Sequence, residues 1–368
     1  MSSNNRILYS CQVPSIMPHG GGKVVGNKQL GGMVHGVQSI GITTNFNLEH
    51  AFELGQIEIY ENIEGTPDVE VTMEKFIDGY PLMYLLASTG VTGTDASGLV
   101  ARSKERCDVN LGIFGEEFNN VAAATPNGGD AEAQVYMSGM YISSISYNIP
   151  VDGTCTESIT LVGNSKEWLT GTTTTLESES VTDFDGLDAP KALGVTGAFG
   201  PSGGLQRRED VLLEHCILPV GIQGVNGTGL GNAYRKVGDV TDRNDANFTA
   251  SGLGVHVQSV SISTDFSRED VFELGRKTPY YRPAAFPIEV SCEIEAITTS
   301  GDFITALENG DPDLFLTTAS GNNTAEENIF FTLRGGITID AGAKNRLASV
   351  SYGGADATGG NASCTYSY

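Results

Sequence analysis

The sequence predicts an all-β protein made of two tandem copies of one domain, each with about six strands and one short helix. Three observations predict it. The stretch VQSIGITTNFNLEHAFELG at 37–55 returns as VQSVSISTDFSREDVFELG at 257–275, with eleven of nineteen residues identical. Within both stretches apolar and polar residues alternate with a period of two, as in a strand with one buried and one wet face. The 368-residue chain is 39% hydrophobic and holds 47 glycines, which provides for packed cores and for many turns.

Taken in order, the first copy opens on Cys11-Gln12-Val13-Pro14, matched by Cys216-Ile217-Leu218-Pro219. In the repeated strand, Ile40, Ile42, Thr44 and Phe46 form one face, as do Val260, Ile262, Thr264 and Phe266. Asn47 and Ser267 are placed to cap a short helical turn that Gly55 or Gly275 ends. Tyr60 then answers Tyr280, and Pro67 answers Pro287. VEVTME at 69–74 answers IEVSCE at 288–293, which pairs Glu70 with Glu289. Short helices are expected in DGYPLMYLLA at 78–87 and SGDFITALENG at 300–310, and strands in CDVNLGIFG at 107–115 and NIFFTLRGGITI at 328–339. Each copy ends in a hairpin with a glycine-containing turn, 140–164 and 347–368, in which Ser144, Ser146 and Tyr147 match Ser349, Ser351 and Tyr352.

The domains are therefore expected at 7–169 and 212–368. Between them, 170–211 is rich in Thr, Ser, Gly and acid and reads as a linker or long loop. Segments 88–106 and 115–136 read as long loops inserted in the first domain. The repeat is too long for a solenoid, whose units run to about 20–50 residues.

Charge narrows the function. Acidic residues outnumber basic ones 45 to 21, a net charge of −24. Such a chain is not expected to grip phosphates or to dock on anionic membranes. MSSNNRILYS carries no apolar signal-peptide core. No stretch approaches the roughly 20 apolar residues of a membrane span. The cysteines at 11, 107, 155, 216, 292 and 364 lack metal or redox spacing. They read as buried free thiols of a protein folded in a reducing cytoplasm, with disulfides the weaker alternative.

Several motifs invite a chemical reading. HGGG at 19–22 and Gly200-Pro201-Ser202-Gly203-Gly204 match hydrolase patterns, but lack the strand–turn–helix setting those need. Gly20-Gly21-Gly22-Lys23 has the wrong spacing for a phosphate loop, and GVNGTGLG at 224–231 reads as glycine punctuation. Asp183, Asp185 and Asp188 offer oxygens, without a complete calcium loop. The histidines at 19, 35, 50, 215 and 256 are scattered, and Arg207-Arg208 is an isolated basic pair. Glu53/Glu273 and Glu70/Glu289 recur in both copies and read as structural or surface-lining. No catalytic, cofactor or metal site is expected, and the chain is not expected to be an enzyme.

The run SVSISTDFSREDVFELGRKTPYYRPAAFPIEVSCEIEA at 259–296 resembles the core of bacteriophage tail tube proteins. So does the hairpin SSISYNIPVDGTCTESITLVGN at 143–164. The first copy departs from the pattern, with Gln56 for Arg276 and Glu61-Asn62 for Tyr281-Arg282. The resemblance implies two packed β-sheets with a flanking helix, a β-sandwich or barrel, in each copy. It implies self-assembly into six-fold rings, stacked into a hollow tube that conducts DNA without sticking to it. A duplicated chain satisfies six-fold symmetry as a pseudo-six-fold trimer, or places its copies in successive rings of a hexamer; the trimer is preferred. The further partners implied are sheath, baseplate and terminator proteins; the location is the virion tail, after assembly in the host cytoplasm. On this reading Glu70, Glu74, Glu289, Glu293 and Glu295 are candidate lumen-lining residues. The alternatives are another virion ring protein (baseplate, tail terminator or capsid decoration) and a β-sandwich glycan-binding module.

Overall fold

The computed structural model describes residues 7, 9–19, 23–25, 28–30, 32–34, 36–77, 82–88, 98–99, 105–114, 133–170, 205–208, 211–214, 255–298, 301, 329–333, 337–342, 345, 347–355 and 360–368. The expected helix at 300–310, all but the ends of the connector 170–211, Cys216, and the DFDGLD and GVNGTGLG motifs lie outside them, Gly301 excepted.

The strands are β1 (Gln12–Pro18), β2 (Lys23–Val25), β3 (Lys28–Leu30), β4 (Gly32–Met33), β5 (Val37–Asn45), β6 (Leu48–Phe52), β7 (Ile59–Glu64) and β8 (Asp68–Phe76). Helix α1 (Leu82–Ala87) follows, then β9 (Cys107–Ile113), β10 (Ala133–Pro150), β11 (Thr156–Gly163) and β12 (Glu167–Thr170). The second half contributes β13 (Val211–Glu214), β14 (Val255–Asp265), β15 (Glu289–Thr298), β16 (Phe330–Leu333), β17 (Ile337–Asp340), β18 (Ser349–Gly353) and β19 (Ser363–Ser367). The fold is all-β and antiparallel.

One run of eight strands dominates, in the order β18-β19-β15-β14-β10-β11-β8-β5. The stretches that repeat in sequence take matching places. β5–β8–β11–β10 is one set of four, and β14–β15–β19–β18 is the other in the same internal order. They join where β10 pairs with β14, from Ser144↔Asp265 to Pro150↔Ser259.

β10 also belongs to a second layer. Its first half pairs with β9 and β12, and β9 pairs in turn with β1. The strand changes layers at an irregularity between Met137 and Met140. Gly139 supplies the required left-handed backbone there, at φ 68°. Asp108 fixes the corner by accepting hydrogen bonds from the Gly139 amide at 2.7 Å and the Ser138 hydroxyl at 2.8 Å. His19 of the HGGG motif sits 2.8 Å from the same carboxylate, so it belongs to this corner. The apolar sides of both layers meet in one cluster that includes Ile16, Val71, Met73, Val109, Met137, Ile145 and Ile159. Helix α1 adds Leu82, Met83 and Leu86 to that cluster. The Tyr84 hydroxyl accepts a hydrogen bond from the Asp340 amide of β17 at 3.1 Å. Burial raises that phenol's pKa well above its ordinary value.

Two expectations are corrected. The segment after the repeated strand is not a helical turn. Leu48–Phe52 is a strand paired with β7, and its counterpart makes the bridges Arg268↔Ala284 and Val271↔Tyr281. Asn47 and Ser267 adopt φ 49° and 41°, and their amides bond the side chains of Asn45 and Asp265 two residues back. That Asx turn reverses the chain into a hairpin-like return in place of a capped helix.

The match of 69–74 to 288–293 is also displaced. Ile40, Ile42 and Thr44 pair with Met73, Val71 and Val69. Their counterparts Val260, Ile262 and Thr264 pair with Ile294, Cys292 and Val290. Structural equivalents are therefore Val69/Val290, Val71/Cys292 and Met73/Ile294, two residues from the sequence match. A two-residue slip keeps every side chain on its own face, so alternation alone does not detect it.

Cys11, Cys107, Cys155, Cys292 and Cys364 are buried thiols outside any disulfide, as expected. Burial pushes the Cys292 thiol up to about 12 and that of Cys107 higher still. These two thiols stay protonated, Cys107 donating to the Met140 carbonyl at 3.5 Å, and their raised folded pKa favours the fold below the unfolded value, near 8.5. That contribution declines as pH rises through the folded value. The expected result of thiol titration with an aromatic disulfide at pH 8 is that these five react only after denaturant is added.

Candidate functional site

The site is the outer face of the eight-strand run, built from the alternate residues that the core does not take. On β8 the core takes Val69, Val71 and Met73, leaving Asp68, Glu70, Thr72 and Glu74 exposed. On β15 the core takes Cys292, Ile294 and Ala296, leaving Glu289, Ser291, Glu293 and Glu295 exposed. All five glutamates named from the sequence thus share one face.

Pairing sets what surrounds them. Glu70 lies between Thr43 and Val162, and Glu74 between Ser39 and Ser158. Glu293 lies between Ser261 and Ser367, and Glu295 between Ser259 and Thr365. The two acidic strands are held apart by β11, β10 and β14, which present chiefly Ser, Thr and Asn: Ser158, Thr160, Ser144, Ser146, Asn148, Ser261 and Ser263. Hydroxyls link neighbouring strands, with Ser263 and Ser291 oxygens 2.8 Å apart and Ser259 donating to Glu295 at 3.1 Å.

The corrected equivalences pair Glu74 with Glu295 and Asp68 with Glu289, each carboxylate with a carboxylate. Glu70 is equivalent to Ser291, and Thr72 to Glu293. Asp68 and Asp265 are further acids of this face that the sequence reasoning did not name. The strand alternation already marked both positions as wet. Among the described residues of these eight strands, no Lys or Arg stands on this face. The single basic residue of β8, Lys75, points to the core.

Lys75 is the feature the sequence reasoning missed. Its Nζ lies 3.6 Å from the Glu157 carboxylate, with both side chains almost fully buried, 2% and 4% exposed. The two residues are cross-strand partners, and Tyr147 stands opposite Glu157 on β10. Burial, then the Glu157 charge, raises the Tyr147 pKa well above the ordinary phenol value. The equivalent pair in the second copy is Ala296↔Cys364, fully buried and uncharged.

The internal seam between the two sets of strands has its own contacts. After β14, the Phe266 amide bonds the Ser143 carbonyl at 2.7 Å. Arg268 donates to the Ile142 carbonyl at 2.9 Å and lies over the rings of Tyr141 and Phe266. Its burial lowers its pKa to about 10, with the neighbouring Tyr141 and Tyr281 acting the other way. Buried Arg282 bridges Asp270, at 3.0 Å, and Asp68 of the first copy, at 3.2 Å. The Thr66 hydroxyl also donates to the Lys277 carbonyl across the seam.

Among the described residues no cluster of His, Cys, Asp and Glu has the makings of a metal site. No helix among them is long and apolar enough to cross a membrane. No family model and no curated protein matches the chain. Among solved structures, a chain of the PVC extracellular contractile injection system, in its sheath–tube complex in the extended state, is similar over 46% of this chain and 95% of its own, at 9% identity and a TM-score of 0.29. A chain of the anti-feeding prophage (AFP) baseplate, six-fold symmetrised, is similar over 46% and 98%, at 9% identity and a TM-score of 0.31. The fold and the face define an all-β protein with one broad, acidic, hydroxyl-rich sheet surface.

Proposed function

We propose that the chain is a structural subunit of a phage tail or tail-like particle, forming rings that stack into a hollow tube for DNA. The acidic face lines the lumen, and 7–169 and 212–368 serve as two neighbouring wedges of the ring. The observation that carries this reading is the continuous sheet face with carboxylates in both copies and no Lys or Arg among its described residues. A wall of that kind repels a polyanion and offers no cation to replace its counterions. The resemblance of 259–296 and 143–164 to tail tube proteins points the same way. In this reading the chain is structural, without a catalytic role, and three chains complete a pseudo-six-fold ring.

A second feature suits stacking. Leu54 and Leu274, in the repeated Phe-Glu-Leu-Gly turn, are fully exposed in both copies. An apolar tip kept at both equivalent sites fits a contact repeated around a ring with the ring above or below.

Negative-stain microscopy of the purified chain at high concentration tests the reading. Long hollow tubes are the expected result. Single closed rings that never extend favour a terminator or baseplate ring instead. A chain that stays monomeric at all concentrations and also fails to co-assemble on tail baseplates overturns the proposal.

A further inference from the structure

The two outer strands of the eight-strand run, β5 and β18, are the sequence equivalents of β14 and β10, the strands that meet at the internal seam. Their burial differs as it would if each lacked its partner. Phe266 at the seam is 0% exposed, while its equivalent Phe46 is 61% exposed. Tyr147 is 2% exposed, while its equivalent Tyr352 is 54% exposed. Thr264 is buried, and Thr44 only half-buried. Among the described residues β5 pairs only with β8, and β18 only with β19.

We propose that β18 of one chain pairs antiparallel with β5 of a second copy, in the register of the internal seam. Carrying that register across places Ser349 opposite Asn45, Ser351 opposite Thr43 and Tyr352 opposite Ile42 of the neighbour. The contact is head-to-tail, because each edge finds the other edge and not itself. It continues the sheet, satisfies the open backbone edges and covers Phe46 and Tyr352. This rests on the ring-forming reading above and specifies its seam.

The new seam differs chemically from the internal one. The return segments of the two copies are folded alike: Ala51↔Glu61 corresponds to Val271↔Tyr281, and His50 pairs with Asn62 as Asp270 pairs with Arg282. Yet Arg268 is replaced by Leu48 and Arg282 by Asn62, while the carboxylate that Arg282 reaches, Asp68, is kept as Glu289. The seam between chains therefore lacks both guanidinium clamps and relies on strand pairing and exposed apolar side chains such as Phe46 and Leu48. Its assembly is expected to persist in about 1 M salt, where exposed charge pairs are screened.

Cysteine cross-linking of the full chain tests this. Thr43→Cys and Ser351→Cys variants, mixed and mildly oxidised, are expected to give a covalent dimer that neither gives alone. Pairing Thr43→Cys with Ser349→Cys, two residues out of register, is expected to give several-fold less. The double variant T43C/S351C is expected to close into a covalent ring in about 1 M salt as well as in dilute buffer. Dimers from either variant alone, or equal yields for both registers, overturn the proposal. Tubes seen by microscopy without the cross-link overturn this seam and leave the tube reading standing. The cross-link in rings that never stack does the reverse, and monomers throughout overturn both.

Discussion

Replacing Lys75 alone with Met is expected to cost about 3–5 kcal/mol in chemical unfolding, because it leaves the Glu157 carboxylate buried without its cation. Glu157→Leu alone is expected to be similarly damaging, since it strands the ammonium group. The double variant K75M/E157L is expected to lie within about 1 kcal/mol of the parent, or above it, because apolar groups of similar volume need no desolvation of charge. The second copy supports this, since Ala296 and Cys364 hold the equivalent buried positions without charge. A double-mutant cycle from urea melts supplies the check. Additive losses in the double variant would show that the pair stabilises the fold through something other than mutual compensation. Because the pair lies on the core side of β8 and β11, none of these changes alters the charge of the opposite face.

The second large effect concerns DNA. The parent chain is expected to show no binding to duplex DNA at physiological salt. Reversing Glu70, Glu74, Glu293 and Glu295 to Lys converts the two acidic strands into basic ones without touching the core. Nonspecific binding with Kd of about 10⁻⁴ to 10⁻⁶ M is then expected. Its logarithmic salt slope should be about −0.9 for each phosphate neutralised. In assembled particles the same reversal should retard DNA passage. Fluorescence anisotropy across a salt series measures the first expectation, and ejection kinetics the second. A quadruple variant that assembles normally and releases DNA at the parent rate would remove this face from the lumen. Reversal of Glu49, Glu58, Glu61 and Glu64, which are exposed on or beside the β6–β7 hairpin, serves as a control with the same change of charge.

Much of this was legible in the sequence because strand alternation is a local property. A period of two assigns each residue to a face without knowledge of its neighbours, so the five glutamates were placed on the wet side from β8 and β15 alone. The same rule, carried one residue further along VEVTMEKF, puts Lys75 on the core side. The buried cysteines followed from their places in alternating runs, and the repeat of 37–55 in 257–275 was visible directly.

Pairing is non-local, and there the sequence was silent. The two-residue displacement between 69–74 and 288–293 preserves alternation, so only the ladders to β5 and β14 reveal which residues are equivalent. Asn47 and Ser267 carry local signals that suit either a helix cap or an Asx turn, and the strand across from them decided for the turn. Glu157 becomes the partner of Lys75 only when β11 lies beside β8, although 82 positions separate them in the chain. Composition, repetition and the inner or outer side of each strand were thus determined by the sequence itself, through the backbone's two-residue period. Which strands met, in what register, and which edges were left open were decided by tertiary structure, because those choices depend on fitting distant side chains into one shared core.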